Sequence, residues 1–153
     1  MNQPNLPFEA DATEPDRVDT VVVFSDGGSR GNPGPSAIGA VVLDPSVDPP
    51  KVLATVSECI GITTNNVAEY EALIGGLRAA APFRARTVRV RADSLLMIKQ
   101  LLGEYRVRQA HLRPLYDQAR ELLRGYQEVD LAHVPRAENT EADALVNEAL
   151  DSA

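Results

Sequence analysis

Four acidic residues, Asp26, Glu69, Asp93 and Asp143, are the side chains of this 153-residue sequence best suited to chemistry. Asp26 follows the apolar residues 21–24 and Asp93 follows another strand-like stretch, so both are predicted at strand ends. Glu69 flanks the apolar stripe of one predicted helix, and Asp143 lies in the first turn of another. Acids this close repel each other and raise each other's pKa, so such a cluster favours bound cations. Oxygen ligands suit Mg²⁺ or Mn²⁺, and two such ions can cleave a phosphodiester.

Each of these acids also has a purely structural interpretation. Asp93 precedes a predicted helix and could be its N-cap, which stabilises a helix by about 1 kcal/mol. Asp143 would be favoured near a helix N-terminus by the helix dipole. Asp26 could begin an Asx-turn, and Glu69 could be an ordinary surface residue. Convergence of all four acids at one place favours the metal site over these separate explanations.

The elements of the predicted fold bring these acids together. Apolar patterning predicts strands at residues 20–26, 37–43, 52–60, 87–92 and 129–134. It predicts helices at residues 66–80, 93–104, 112–124 and 140–150. The order is therefore βββαβααβα, an α/β fold with a five-stranded mixed sheet in which three antiparallel strands precede two parallel ones. If the first and fourth strands are parallel neighbours, Asp26 and Asp93 emerge at the same edge of the sheet.

Length and composition indicate a single domain with one core. Hydrophobic residues make up 44% of the sequence, which excludes global disorder. We place the domain at residues 19–151, behind a flexible acidic tail at residues 1–18. The tail lacks the features of a secretory signal, and no apolar run reaches the roughly 18 residues of a membrane helix, so no membrane partner is expected. Cys59 is the only cysteine, which excludes an internal disulfide and favours a cytoplasmic location.

The charge distribution bears on the kind of partner. The net charge of −7 argues against a polyanionic partner. Nine of the basic residues, however, lie between Arg78 and Arg113, where Asp93 and Glu104 are the only acids. This stretch predicts a basic sector that nucleic acid could contact. A surface of scattered, solvated arginines is the alternative.

Four ordered motifs carry a family resemblance. The stretches SDGGSRGNPGP, TTNNVAEYEAL, RADS and HVPRAENTEADAL cover the sequence from about Val21 to Leu150. In order and spacing the sequence resembles type I ribonuclease H, and in particular the actinobacterial and archaeal members without a basic handle helix. The resemblance implies the ribonuclease H-like fold and an endonuclease that cleaves the RNA strand of RNA–DNA hybrids, leaving 5′-phosphomonoesters. It assigns the catalytic metal ligands to the same four acids, with two Mg²⁺ ions that Mn²⁺ can replace.

The resemblance also implies how the substrate is held. The glycine-rich stretch after Asp26 would lie against the minor groove of the hybrid, where A-form-like duplexes present 2′-hydroxyls. Thr64 and Asn32 would hold a phosphate of the DNA strand. The substrate-binding residues carried over from the family are Gly28, Ser29, Gly31, Asn32, Thr64, Asn65 and Asn66.

The family uses a mobile basic residue near the fourth acid for the last stage of the reaction, and two residues qualify here. His133 lies ten residues before Asp143, and the ordinary histidine pKa of about 6.5 suits proton transfer. It is predicted within the last strand, however, where packing would hold it. Arg136 lies seven residues before Asp143 in a predicted loop. As a permanent cation it can stabilise developing charge or help to expel product, and its loop position favours it.

The sequence also departs from the better-known members of the family. Residues 104–114 are too few for the extra basic helix that grips the hybrid in some members, and the chain has no tryptophan. Affinity would then be weak or depend on an attached partner, such as the C-terminal phosphatase-like domain of some actinobacterial relatives. Two alternatives stay open: a nuclease of the same fold that also cuts double-stranded RNA, and a non-catalytic hybrid-binding module.

Overall fold

The computed structural model describes residues 17–153, so residues 1–16 of the predicted tail lie outside the described residues. Val18, the last residue of that predicted tail, packs against the hydrophobic core. Its backbone N–H also donates a hydrogen bond to the carbonyl oxygen of Phe83. Val18, which was predicted to belong to the tail, therefore packs with the folded part of the chain.

A five-stranded mixed sheet forms the centre of the molecule. Its strands are β1 (Thr20–Ser29), β2 (Gly34–Asp44), β3 (Lys51–Thr63), β4 (Thr87–Ala92) and β5 (Glu128–His133). The α-helices are α1 (Asn65–Ala80), α2 (Leu95–Leu101), α3 (Arg113–Leu123) and α4 (Thr140–Asp151). The strands are arranged β3-β2-β1-β4-β5, with β1 antiparallel to β2 and parallel to β4. This confirms the predicted order βββαβααβα and the predicted α/β class.

The central strand β1 buries its two faces to different degrees. Val21 and Val23 are fully buried in the cluster that also contains Leu73 and Leu77 of α1. Val22, on the other face, is only half buried. The continuous apolar run at residues 21–24 predicts a strand buried on both faces. The difference arises because the helix on the second face, α4, packs mainly on β2 and β3.

The glycine-rich stretch after Asp26 differs from the prediction. The first strand was predicted to end at Asp26, with the glycine-rich residues forming a loop, but Gly27 and Ser29 are still paired with β2, opposite Ile38 and Ser36. Only residues 30–33 form the turn, which is closed by a 2.8 Å hydrogen bond from the Arg30 N–H to the Pro35 carbonyl. Small residues can continue a strand when the partner strand supplies the hydrogen bonds. The stretch is therefore a rigid strand end rather than a free loop.

Helix α2 is shorter than predicted, and Asp93 does not cap it. Ser94 is the N-cap, because its hydroxyl accepts a hydrogen bond from the backbone N–H of Met97. The helix ends at Leu101, two residues before Gly103, whose φ of 81° is left-handed and stops the helix. The capping interpretation of Asp93 was therefore wrong, and its carboxylate is left for another role.

Helices α1 and α4 cover opposite faces of the sheet. Ile38 and Ala40 of β2 contact α1, whereas Gly39 between them faces α4. A Cβ atom at Gly39 would overlap the carbonyl oxygen of Ala142, so only glycine lets α4 approach this closely. This contact lies one residue from Asp143 and fixes the start of α4 beside β2. No helix within residues 17–153 is long and apolar enough to cross a membrane.

Candidate active site

The parallel pairing of β1 with β4 brings two of the acids together. Ser25 lies opposite Ala92 in this pairing, so the next residue on each strand, Asp26 or Asp93, emerges at the same edge of the sheet. Carboxylate oxygens of Asp26, Glu69 and Asp93 all lie within 4.8 Å of one another. The predicted convergence of these three acids from three elements is confirmed.

Glu69 reaches this edge because α1 approaches β1 very closely. The backbone N–H of Gly27 donates a 3.0 Å hydrogen bond to Oε1 of Glu69. A Cβ atom at Gly27 would overlap the carbonyl oxygen of Ala68, so a side chain there would push the helix away. Gly27 was not among the predicted site residues. The signal that could have found it is its position directly after Asp26.

Asp143 lies near Asp26 at the same edge of the sheet. It lies in the first turn of α4, as predicted, and its carboxylate interacts with that of Asp26. Nη2 of Arg136 lies 3.3 Å from its Oδ1, and Nδ2 of Asn147 lies 3.5 Å from its Oδ2. Asn147 was missed at the sequence level, although its spacing of four residues from Asp143 places both on one face of the helix.

The acids strain one another electrostatically. Burial is the largest cause that raises the pKa of Asp26 to about 7, and the carboxylates of Asp93 and Asp143 add to it. Burial is also the largest cause that raises the pKa of Glu69 to about 9, and the charges of Asp26 and Asp93 add to it. The Gly27 N–H and the Arg136 guanidinium oppose these shifts but do not cancel them. When all of these acids are ionised, the positive charge beside them is therefore too small to balance their negative charge.

This donor set fits a hard divalent cation. All the candidate ligand atoms are carboxylate oxygens, which Mg²⁺ and Mn²⁺ prefer over the nitrogen and sulfur ligands of zinc. The raised pKa of Asp26 and of Glu69, caused first by burial and then by the neighbouring carboxylates, indicates that Arg136 alone does not compensate the charge of the ionised acids. A bound cation would supply the missing charge, so the cluster could hold a metal.

The acids open into a cavity of about 540 Å³. Its wall includes the end of β1, the start of α1 and one face of α4. Of the predicted substrate-binding residues, Gly28, Ser29 and Asn65 line this cavity. Asn66 instead lines a second cavity of about 590 Å³ beside α2, together with Arg106 and Arg108.

The predicted substrate-binding residues on β1, the following turn and α1 are joined by hydrogen bonds. The Ser29 N–H donates to Oδ1 of Asn65 at 2.9 Å, and the Asn65 N–H donates to Oδ1 of Asn32 at 3.1 Å. Thr64 caps α1 by accepting from the Val67 N–H. Gly31 lies in the exposed turn with a left-handed φ of 90°. The side-chain oxygens of the two asparagines are thus engaged with backbone, and their positions are fixed before any substrate arrives.

Arg136 and His133 lie in different places. Arg136 lines the cavity, is 80% exposed at its side chain and contacts Asp143. His133 is the last residue of β5, and its side chain is exposed rather than packed. The expectation that packing would hold His133 was wrong, because an edge strand ends there and no helix covers its side chain. His133 is not among the residues that line the cavity.

The predicted basic sector is divided in the structure. Arg84 and Arg86 lie near the start of β4, at the opposite end of that strand from Asp93, whereas Arg106 and Arg108 lie beside α2. Ion pairs join Arg86 to Asp19, Arg91 to Asp130, Lys99 to Glu104, and Arg113 to Asp117. Of the bases in this sector, Arg106 and Arg108 share a cavity with a predicted substrate-binding residue, Asn66.

A mixed sheet in the order β3-β2-β1-β4-β5, with one acid on β1 just past its pairing with β4 and another directly after β4, defines the ribonuclease H-like class. Residues 24–149 match the family model described as "Reverse transcriptase-like". Ribonuclease HI of Halobacterium salinarum is 46% identical over 140 residues, which cover 92% of this chain and 69% of that protein. The chain therefore belongs to the ribonuclease H family.

Solved structures agree with this assignment. The N-terminal RNase H domain of Rv2228c from Mycobacterium tuberculosis superposes with a TM-score of 0.82 at 45% identity, over 86% of this chain and 99% of that one. LC11-RNase H1, solved in complex with an RNA/DNA hybrid, gives a TM-score of 0.79 at 38% identity, over 86% of this chain and 97% of that one. The complete mycobacterial protein, described as bifunctional, is longer, and the match spans only 36% of it.

Proposed function

We propose that this chain hydrolyses the RNA strand of RNA–DNA hybrids, using divalent cations held by Asp26, Glu69, Asp93 and Asp143. The observation that carries the proposal is the meeting of three carboxylates within 4.8 Å in an open cavity. Mg²⁺ is the proposed cation, with two ions per site and Mn²⁺ as a substitute, because the donors are all oxygen. The relatives named ribonuclease H and the LC11-RNase H1 complex with a hybrid support the substrate.

The residues of the chain have separate tasks in this reaction. When bound, the cations would supply a water of lowered pKa and charge stabilisation at the leaving 3′-oxygen. Asp26 interacts electrostatically with both Asp93 and Asp143, and it would hold the cations together with them. Glu69 is oriented by the Gly27 N–H. The Arg136 guanidinium is a cation that lines the cavity, so it can stabilise negative charge as products form.

Substrate selection would fall to the fixed polar groups beside the acids. Gly28, Ser29 and Asn65 line the cavity, where they can meet 2′-hydroxyls of an A-form-like minor groove. The Asn32–Asn65 hydrogen bond brings Asn32 next to Thr64, and we propose that these two hold a phosphate of the DNA strand. The basic residues beside α2, Arg106 and Arg108, would contact more distant phosphates.

One assay separates the open alternatives. A labelled RNA–DNA hybrid, an RNA duplex and a DNA duplex of one sequence are incubated with the protein in Mg²⁺, in Mn²⁺ and in EDTA. We expect cleavage of the RNA strand of the hybrid, with 5′-phosphate ends, and none in EDTA. Equal cleavage of the RNA duplex would extend the substrate range to double-stranded RNA. Binding of the hybrid without cleavage in either cation would leave a non-catalytic binding module.

Two further proposals concern the setting of this domain. The bifunctional mycobacterial relative extends beyond the matched region, which supports the proposal that this domain works joined to a second, phosphatase-like one. A cytoplasmic location is supported by the single cysteine, which excludes an internal disulfide. Fractionation of the source cells, followed by detection of the protein and of its size, tests both.

A further inference from the structure

Asn139 is a buried polar residue at the junction of the site elements. It is 1% exposed and precedes α4, four residues before Asp143. Nδ2 of its side chain donates a 2.9 Å hydrogen bond to the carbonyl oxygen of Ser25, across 114 residues of sequence. Two carbonyl oxygens would repel each other, so the NH₂ group must be the end that faces Ser25.

The backbone of Asn139 reaches the other two parts of the site. Its carbonyl oxygen accepts a 3.1 Å hydrogen bond from the Asp143 N–H. Its own N–H donates a 3.0 Å hydrogen bond to the carbonyl oxygen of Arg136. One residue is thus bonded to the strand residue before Asp26, to the helix residue Asp143 and to the turn that carries Arg136.

The side chain of Asn139 is not arranged for stability alone. Within residues 17–153, its Oδ1 has no hydrogen-bond partner although it is buried, and the same holds for Oγ of Ser25. A buried acceptor without a partner costs free energy that an apolar side chain would not cost. Unsatisfied polar groups of this kind call for an explanation, and a functional site is one of the places where they occur.

We propose that Asn139 is a positioning residue, which holds Asp143 and Arg136 at a fixed distance from Asp26 through its hydrogen bond to Ser25. The inference rests on the proposed function only for its effect on cleavage. Its effect on cation binding can be measured without any substrate. Residues that orient metal ligands typically change metal affinity or activity by about 10- to 100-fold when they are replaced.

Two variants and one control test this role. Asn139→Ala removes the side-chain donor to the Ser25 carbonyl oxygen. Asn139→Ser also removes this hydrogen bond, because the serine side chain is too short to reach Ser25, but it keeps a residue type that helix N-termini favour. The control is Thr87→Val, which deletes a 3.0 Å hydrogen bond to Glu128 at the far end of β4 with little change in shape. All three lose a side-chain hydrogen bond, but only the first two lose one beside the acids.

The readouts are Mg²⁺ binding to the metal-free protein, measured by calorimetry, and kcat and KM on the hybrid. We expect both Asn139 variants to bind Mg²⁺ about tenfold more weakly and to lose about tenfold or more in kcat, with a smaller change in KM. Thr87→Val should match the wild type in all three. Wild-type Mg²⁺ affinity in a folded Asn139 variant would overturn the inference, as would failure of both variants to fold.

These outcomes are separate from the failure of the proposed function. If the wild-type protein cleaves hybrids and the Asn139 variants do so equally well, the positioning role is refuted and the nuclease stands. If the wild-type protein binds Mg²⁺ but cleaves nothing, the nuclease is refuted, and the comparison of Mg²⁺ affinities still decides the role of Asn139.

Discussion

Replacement of Asp26 by asparagine should stabilise the metal-free protein at neutral and alkaline pH. Burial and the neighbouring acids raise the pKa of Asp26 from 3.8 to about 7 in the folded protein. A raised folded-state pKa contributes stability below the unfolded pKa near 4, and that stability is lost as the pH rises through 7. Asparagine does not titrate, and its NH₂ group can still donate to the Asp143 carboxylate.

The expected magnitude follows from this shift. One pKa unit corresponds to about 1.4 kcal/mol, so the rise of Asp26 from 3.8 to about 7 sets an upper limit near 4 kcal/mol. The cavity is open to solvent, which screens the charges, and we expect about 1–2 kcal/mol at pH 8. At pH 4 the carboxyl group is protonated in the folded state and only partly ionised in the unfolded state, so the difference should be small.

The assay is urea unfolding in EDTA at pH 4 and at pH 8. Glu148→Gln serves as the control, because it removes one negative charge from an exposed position on α4, away from the acidic cluster. Addition of Mg²⁺ at pH 8 should then stabilise the wild type more than Asp26→Asn, since only the wild type keeps the full ligand set. An Asp26→Asn protein less stable than the wild type at pH 8 in EDTA would refute the electrostatic reasoning, as would an equal gain from Glu148→Gln.

Three further predictions concern activity. Asp93→Asn should abolish hybrid cleavage without lowering the melting temperature, because this residue caps no helix and its charge repels those of Asp26 and Glu69; near-normal turnover in Mg²⁺ would remove it from the ligand set. Arg136→Ala should lose at least about tenfold in kcat, or 1.4 kcal/mol of barrier, whereas His133→Ala should change neither kcat nor melting temperature by much; the reverse ranking would show that His133 is the assisting residue. Replacing Arg106 and Arg108 together should raise KM more than it lowers kcat and flatten the salt dependence of binding; an unchanged salt slope would point to another surface.

The sequence was sufficient to predict the architecture, because its apolar patterns are strong and local. The continuous run in β1 and the alternation in β4 identify the two strands whose parallel pairing joins Asp26 to Asp93. The helical position of Glu69, flanking an apolar stripe, was enough to direct it to the same edge. Both arguments use the spacing of apolar residues, which indicates the type of element and the side of it that is buried.

What the sequence did not predict depends on contacts between distant residues. The glycine-rich stretch reads as a loop, and only its pairing with β2 makes it a strand end. Gly27 matters because of the carbonyl of Ala68, and Asn139 because of the carbonyl of Ser25, and neither contact leaves a local pattern. His133 was expected to be packed because strand alternation does not reveal which edge of a sheet remains uncovered.

The most direct test of the central claim is the single-turnover rate of hybrid cleavage as a function of Mg²⁺ concentration, with enzyme in excess over a labelled hybrid. The acidic cluster predicts no cleavage in EDTA, a rate that rises with Mg²⁺ and saturates, and a rate at least about 100-fold lower for Asp26→Asn at every concentration. Cleavage by the wild type in EDTA, or a wild-type rate for Asp26→Asn, would contradict it.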